Sequence, residues 1–274
     1  MTVCSIHIKD VKEIAKQSKD WFGIDLGDII YVTLKIKIEQ FCKTYKLTSS
    51  QNLIEKLNTI PALRDDFLSF IFFDEFELFR DPAFWRSIKE SILTQVKTDI
   101  QFRVFFPSCH QGAELLSFLI LREDLGLADK IQVLFASQHK LLNKVGKGFV
   151  YEERKHHLNI SNYKRLEGED NLDKYFVQKM NKLVPEKKLF RNTMYFDYNE
   201  TEGAFRKSVN LIIYRNKLLN YNSNLQLQIT NHLIKKIKLG GYLALGVKEK
   251  LIDDNNRELF IVFNKKESLY KKKI

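Results

Sequence analysis

The 274 residues include only three cysteines, Cys4, Cys42 and Cys109. They are odd in number, far apart and form no C-x-x-C pair, and only Cys109 has a histidine, His110, directly beside it. Neither a disulfide framework nor a structural zinc is therefore expected. No apolar run approaches the ~18–20 residues that span a bilayer, and Met1 to Asp10 has no apolar stretch behind a basic one. Together these absences predict a reduced, cytoplasmic chain with no membrane insertion. A dinucleotide G-x-G-x-x-G and a P-loop are also missing, as are an arginine-rich arm and a basic-aromatic platform of the kind that marks nucleic-acid binding.

What is present is an ordinary globular composition with a basic bias. Lys plus Arg number 45 against 34 Asp plus Glu, a net charge of +11, with 29% charged and 44% hydrophobic residues. This balance suits an anionic partner and describes encounter rather than chemistry. The basic residues gather at Lys35, Lys37, Lys43 and Lys46, across 140–188, at Lys235, Lys236 and Lys238, and in the final ten positions. Acids are interleaved with nearly every cluster, so most read as solvated faces.

The hydrophobic period divides the chain. From 9 to about 97 it is helical. Ile30, Leu34, Ile38, Phe41 and Tyr45 draw one apolar stripe, and Thr48-Ser49-Ser50 cap a helix carrying Leu53 and Leu57. Pro61 and Pro82 each open a further helix. After Asp99 short apolar runs at 100–106 and 131–136 alternate with helical patterns at 113–125 and 141–145, the mark of a parallel sheet with crossover helices. Further strands are expected at 193–196, 209–214, 242–247, 258–263 and 268–271, with a helix from 223 to 236 that the Gly240-Gly241 pair ends. The polar stretch 150–192 reads as a mixed helix and loop excursion. The division predicted is a helical domain over 1–97 and an α/β domain over 98–274.

Such a sheet binds its ligand at the carboxyl ends of its strands. The first turn there, Pro107 to Glu114, has one glycine, Gly112, which permits close backbone approach, and the helix start behind it favours an anion. Cys109 beside His110 resembles a nucleophilic dyad, but loop neighbours rarely point at one another, and a half-buried structural cysteine is the simpler reading. The run through His156-His157 reads as a surface segment, not a metal site.

Taken in order, several motifs resemble the CheR-type chemotaxis receptor methyltransferases, which use S-adenosylmethionine to methylate glutamate side chains. They are Phe22-Gly23-Ile24-Asp25, Phe79-Arg80-Asp81-Pro82 with Phe84, and 109–114 in place of the family's G-C-S-T-G-E-E loop. Tyr175-Phe176 follows, then 209–216 in place of F-D-x-I-x-C-R-N, then 240–246 and 268–271. The resemblance implies a Rossmann-like α/β methyltransferase sheet preceded by a small all-helical domain. It further implies that Arg80 reaches the methionine end of the cofactor and acts in catalysis with Asn220 and Tyr221. Asp74, Phe76, Ser108, Gly112, Glu114, Gln138, Asn199, Arg215 and Asn216 would line the cofactor site. Lys35, Lys43 and Lys46 would face an acidic helical region of a receptor or signalling protein.

The departures are specific. Asp74-Glu75-Phe76 stands where the family has N-x-T, and Ser108, His110, Gln111 and Ala113 alter the cofactor loop. Gln138 replaces an acid on the ribose hydroxyls, a loss of about 1–2 kcal/mol in binding, and Asn220 stands where a tyrosine is expected, with Tyr221 one place on. Two readings follow: a divergent methyltransferase acting on glutamate, or a pseudoenzyme that keeps the fold as a signalling or scaffold module. A nucleic-acid methyltransferase has only the charge in its favour, since N-P-P-Y and D-P-P-Y are both absent.

Overall fold

The computed structural model describes residues 5–72, 76–96, 101–109, 112–137, 151–152, 156–166, 171–197 and 208–273. The chain forms two compact units, Met1–Asp74 with Lys217–Leu227, and Glu75–Asn216 with Gln228–Ile274.

The first unit is helical. α1 (Ile8–Phe22) buries Val11, Ile14, Ala15 and Phe22, a three-and-four spacing that puts them on one face. It starts where the Asp10 carboxylate accepts from the His7 amide at 2.8 Å. It stops at Gly23, left-handed at φ 68°. α2 (Tyr31–Thr44) buries Leu34, Ile38 and Phe41, while the ends of the expected stripe, Ile30 and Tyr45, are exposed. α3 (Ser50–Thr59) is capped by the Ser49 hydroxyl on the Asn52 amide, and α4 (Pro61–Phe72) adds Phe67, which stacks on Phe22 and meets Phe41 edge-on. Residues 217–227 return to this unit. The Ile30 amide donates to the Asn220 carbonyl at 2.8 Å, Asn222 binds Asp28 through both backbone and side chain, and Ile29 bridges Tyr221.

The second unit begins with α5 (Pro82–Ser91), which buries Phe84, Trp85 and Ile88 in the same core as the sheet. Then follow β1 (Phe102–Phe106), α6 (Ala113–Asp124), β2 (Ile131–Ser137), β3 (Tyr151–Glu152), α7 (His156–Arg165), β4 (Phe176–Lys179), β5 (Lys182–Pro185), β6 (Thr193–Asp197) and β7 (Val209–Ile213). α8 (Ser223–Lys236), which belongs to this unit from Gln228 on, β8 (Ile237–Ala244), α9 (Asp254–Glu258), β9 (Phe260–Asn264) and β10 (Leu269–Lys272) complete it. The main sheet has seven strands in the order β6-β2-β1-β7-β8-β10-β9, parallel from β6 to β8 and antiparallel at β10 and β9. This is the mostly parallel α/β architecture expected. β1 and β2 are nearly continuous apolar runs because helices cover both faces of such a sheet. Arg122, fully buried in the last turn of α6, donates to the carbonyls of Ile131, Leu189 and Arg191, each at 2.9 Å, and so ties that helix to β2 and to the turn before β6. Among the described residues no helix is long and apolar enough to cross a membrane.

Two local expectations are corrected. The strand expected at 242–247 spans Ile237–Ala244, directly after α8, and contains the glycine pair. Gly240, at φ 73°, sits where the β7–β8 register shifts, so the pair makes an irregularity within a strand instead of ending the helix. The excursion at 150–192 holds a three-stranded antiparallel sheet, β3-β5-β4, besides α7. Its hairpin turns at Met180, which takes φ 53°; a methionine gives no turn signal of the Asn-Gly kind. The helix expected at 141–145 lies outside the described residues.

Candidate active site

Strand order reverses around β1, which has β2 on one side and β7 on the other. The loops leaving the carboxyl ends of β1 and β7 therefore flank the crevice in which open parallel sheets bind ligands.

The β1 loop is pinned. Ser108 and Cys109 are buried, and the Cys109 amide donates to the Ala136 carbonyl of β2 at 2.7 Å. Gly112 takes φ 75° immediately before α6, a conformation that strains any side-chain-bearing residue. Two residues on, Glu114 meets the β7 loop: Arg215 Nη1 donates to Glu114 Oε1 at 3.4 Å. The Arg215 side chain is fully buried. Its Nη2 donates to Asp81 Oδ2 at 2.7 Å, and its guanidinium lies 3.8 Å from the centroid of the Phe84 ring. Among the described residues its Nε has no partner.

Asn216 follows at φ 58°. Its amide donates to Glu249 Oε2 at 2.9 Å, and the Gly246 amide donates to the same oxygen at 2.6 Å. Glu249 is 2% exposed and joins the ends of β7 and β8. Gly246 has no room for a side chain: a Cβ there would stand 2.6 Å from Asn216 Oδ1.

Residues 77–81 form an arch held by side chains from distant helices. Asn159 of α7 accepts from the Leu78 amide at 2.9 Å, Asn162 donates to the Leu78 carbonyl at 3.0 Å, and Ser117 of α6 accepts from the Phe79 amide at 2.8 Å. Phe79 and Asp81 both occupy left-handed conformations, at φ 52° and 57°. Strain of this kind persists only where the surroundings over-determine it, and it concentrates at functional sites.

The structure thus joins four expected site residues directly or through the chain: Arg215 with Glu114, and Asn216 beside them, with Gly112 at the head of the same helix as Glu114. Asp81 pairs with Arg215, not with Arg80, whose side chain is exposed. Arg80 lines a cleft of about 430 Å³ with Glu77, Asp81, Arg86, Arg165 and Glu267. Phe76 packs half-buried against the core of the second unit. Asn220 and Tyr221 belong to the helical unit, where Asn220 takes part in the backbone bond to Ile30. Lys35 shares its charge with Glu39 at 3.7 Å, while Lys43 and Lys46 are exposed. Asp74, Gln138 and Asn199 lie outside the described residues. His156 of α7 is half of a hydrogen bond with Asp173 at 2.6 Å.

Sequence reasoning missed Glu249 and the bracket of Asn159, Asn162 and Ser117. An acid three places after a glycine at a strand end was the one signal for Glu249; the asparagines and the serine carried none.

Residues 74–267 match the family model described as CheR methyltransferase, SAM binding domain. A Pseudomonas putida protein named "Putative methyltransferase Cher3" is 20% identical over 233 residues, 84% of each chain. Two solved structures are fainter likenesses. An O-methyltransferase family protein from Burkholderia thailandensis is 8% identical at a TM-score of 0.38, with 87% of this chain and 52% of that one covered. PKMT2 from Rickettsia typhi in complex with AdoHcy is 14% identical at 0.36, with 63% and 26% covered. The chain spans only about half and a quarter of those two proteins, and likenesses this slight bear no weight. The family match rests on the span that carries the β1 loop, Arg215 and Glu249, and it shows that this chain belongs to the CheR methyltransferase family, with an S-adenosylmethionine-binding domain over residues 74–267.

Proposed function

We propose that the chain transfers methyl groups from S-adenosylmethionine to glutamate side chains in a cytoplasmic, acidic helical region of a receptor or related signalling protein. One observation carries the reading: buried Arg215 gathers Glu114 and Asp81, and so fixes the β1 loop, the β7 loop and the arch relative to one another at the switch point of the sheet. The residues suit the cofactor's amino-acid end. Gly112 lets the backbone approach closely, the first-turn amides of α6 attract a carboxylate, and Arg215 Nε is a buried donor with no described acceptor. When bound, S-adenosylmethionine supplies an electrophilic methyl group on a sulfonium.

The chain's own task is then alignment and electrostatics. A glutamate carboxylate is already charged, so no general base is required. Arg80, exposed at the cleft, can hold a carboxylate in place. Exposed Lys43 and Lys46, with Lys35, support an acidic partner for the helical unit.

The same ion pairs favour a second reading. Asp81 and Glu114 are both engaged by Arg215, so the motif's charges answer one another inside the protein, as suits a scaffold module without methyl transfer. Calorimetric titration with S-adenosylmethionine and S-adenosylhomocysteine, followed by mass-spectrometric detection of base-labile methyl esters on acidic helical peptides, separates the two. Binding and ester formation, both lost in Arg80→Ala with an unchanged circular dichroism spectrum, is the expected result. No heat with either ligand at millimolar concentration establishes the scaffold reading.

A further inference from the structure

The main sheet ends on a strand that lacks the usual protection of an edge. β9 is last in the strand order, and among the described residues no strand pairs with its outer side. Leu259, Ile261, Val262 and Phe263 are all exposed, Ile261 and Val262 at 56% each, and the run from Leu259 to Phe263 contains no charge, proline or glycine. Natural edges are blunted with charged residues or proline, because an apolar one recruits another strand. The small sheet follows that rule: its edge strand β4 exposes Gln178 and Lys179.

β9 is also set in place for pairing. On its inner side the Leu259 carbonyl accepts from the Lys273 amide at 2.9 Å, and Ile261 stands opposite Lys271. Alternation along an antiparallel ladder then turns the amides and carbonyls of Phe260 and Val262 outward. The strand is braced from behind, with Phe263 edge-on to the Tyr242 ring at 5.3 Å and Asn264 donating to the Ser87 hydroxyl of α5 at 3.1 Å. The register with β10 shifts only beyond Val262, which leaves Phe260 to Val262 regular.

We propose that β9 pairs antiparallel with β9 of a second copy about a two-fold axis, joining the two seven-stranded sheets edge to edge. An identical strand is self-complementary here. With the axis at Ile261 or at Val262, that residue meets itself and Phe263 meets Leu259 or Ile261, so apolar side chains oppose apolar ones across the join. The ends match in charge as well. Antiparallel pairing brings the start of one strand to the end of the other, and hence Glu258 alongside Lys265 and Lys266 of the second copy. All three are exposed, and none forms an ion pair among the described residues. Arg257 is already taken by Asp254 at 2.6 Å, and Lys273 lies on the β10 side, away from the free edge. A parallel copy in register would instead set Glu258 on Glu258 and the lysines on lysines. β9 lies three places along the sheet from β7, so the join leaves the crevice between the β1 and β7 loops open.

The test is sedimentation velocity on the full chain from about 1 to 300 μM in about 0.15 M salt, where screening confines the repulsion between two basic copies to short range. The wild type is expected to pass from monomer to dimer with a dissociation constant on the order of 1–100 μM, the weak end that one short strand pair allows. Val262→Lys should raise that constant more than about 10-fold by restoring a charge to the edge, whereas Val262→Thr should leave it within about 3-fold. Both change an exposed side chain, and melting curves verify that they fold. Glu258→Lys, and separately Lys265→Glu with Lys266→Glu, should each weaken pairing about 3- to 10-fold by setting like charges together at both ends of the join. The three changes combined should restore it. A wild type that stays monomeric throughout, or that dimerises no better than Val262→Lys, overturns the proposal. Association that runs past the dimer overturns the closed pair in favour of an edge that takes any strand, and charge reversals that do not compensate overturn the antiparallel arrangement.

Discussion

Arg215 Nη2 donates to Asp81 Oδ2 at 2.7 Å from a side chain with no solvent exposure, whereas that of Asp81 is 39% exposed. The cation is thus committed to the interior and its partner is not, an asymmetry that decides which of the two can be removed cheaply. Truncating a partner strands the buried charge, while removing the charge itself leaves carboxylates that water can reach.

Asp81→Ala is therefore expected to lower stability by about 1–3 kcal/mol, the lower end for a broken pair because Asp81 is partly solvated. Arg215→Met, which keeps the volume and removes the charge, should cost less. Urea denaturation midpoints at constant m-value measure both. An Asp81→Ala protein as stable as the wild type would mean that Glu114 alone satisfies the guanidinium.

Glu249 makes a sharper case, because one oxygen serves two amides. Glu249→Ala orphans the N–H groups of Asn216 and Gly246 and should cost about 2–4 kcal/mol, at roughly 1–3 for each lost partner with some relief from water. Glu249→Gln keeps an acceptor and should recover more than half. Hydrogen exchange at those two amides reports the effect locally; slow exchange in the alanine variant would contradict it.

Glu267 gives a pH dependence. Burial raises its carboxyl above the ordinary 4.5, with Arg215, Arg86 and Lys266 pulling the other way. A carboxyl raised on folding holds its proton more tightly in the native state. Stability must then fall as pH climbs from the ordinary carboxyl value through the raised one, and level off above it. Glu267→Gln removes that fall. Calorimetric melting should show the variant gaining on the wild type between pH 4 and pH 7, and a variant that loses ground over that interval would reverse the assigned sign.

The helical unit is tested by charge reversal. Changing Lys35, Lys43 and Lys46 to Glu should weaken an acidic helical partner, with a salt dependence that the wild type shows and the triple variant lacks, since exposed charges act over a Debye length of about 8–10 Å. Binding unchanged in the triple variant would move the interface elsewhere.

How much of this was legible depended on the distance over which each feature is specified. The extent of α8 was legible because its apolar period is local, although the glycine pair expected to end it lies inside the next strand. The strands at 131–137 and 209–213 were legible for the same reason, as continuous apolar runs between polar turns. The hairpin at 176–185 was not, since each strand has only four residues, its apolar residues stand side by side instead of alternating, and its turn carries Met180 at a positive φ. The site divides in the same way. Gly112, Glu114 and Arg215 stand in local motifs, but the partner that Arg215 chooses is 134 residues away. The asparagines that hold the arch lie 81 and 84 residues from Leu78. An asparagine on a helix looks the same in sequence whether it faces water or a buried amide.

The helical unit is assembled from both ends of a long interval: residues 1–74 are joined by 217–227. A ribosome therefore releases the first four helices about 140 residues before the turn that accepts the Ile30 amide, a delay on the order of ten seconds at ordinary rates of synthesis. During that wait the Ile29–Ile30 backbone must be satisfied by water or by a chaperone. A nascent chain stalled before residue 217, or a fragment cut at 74, would carry the four helices with that edge open. The four helices of this unit are thus made well before the segment that completes it.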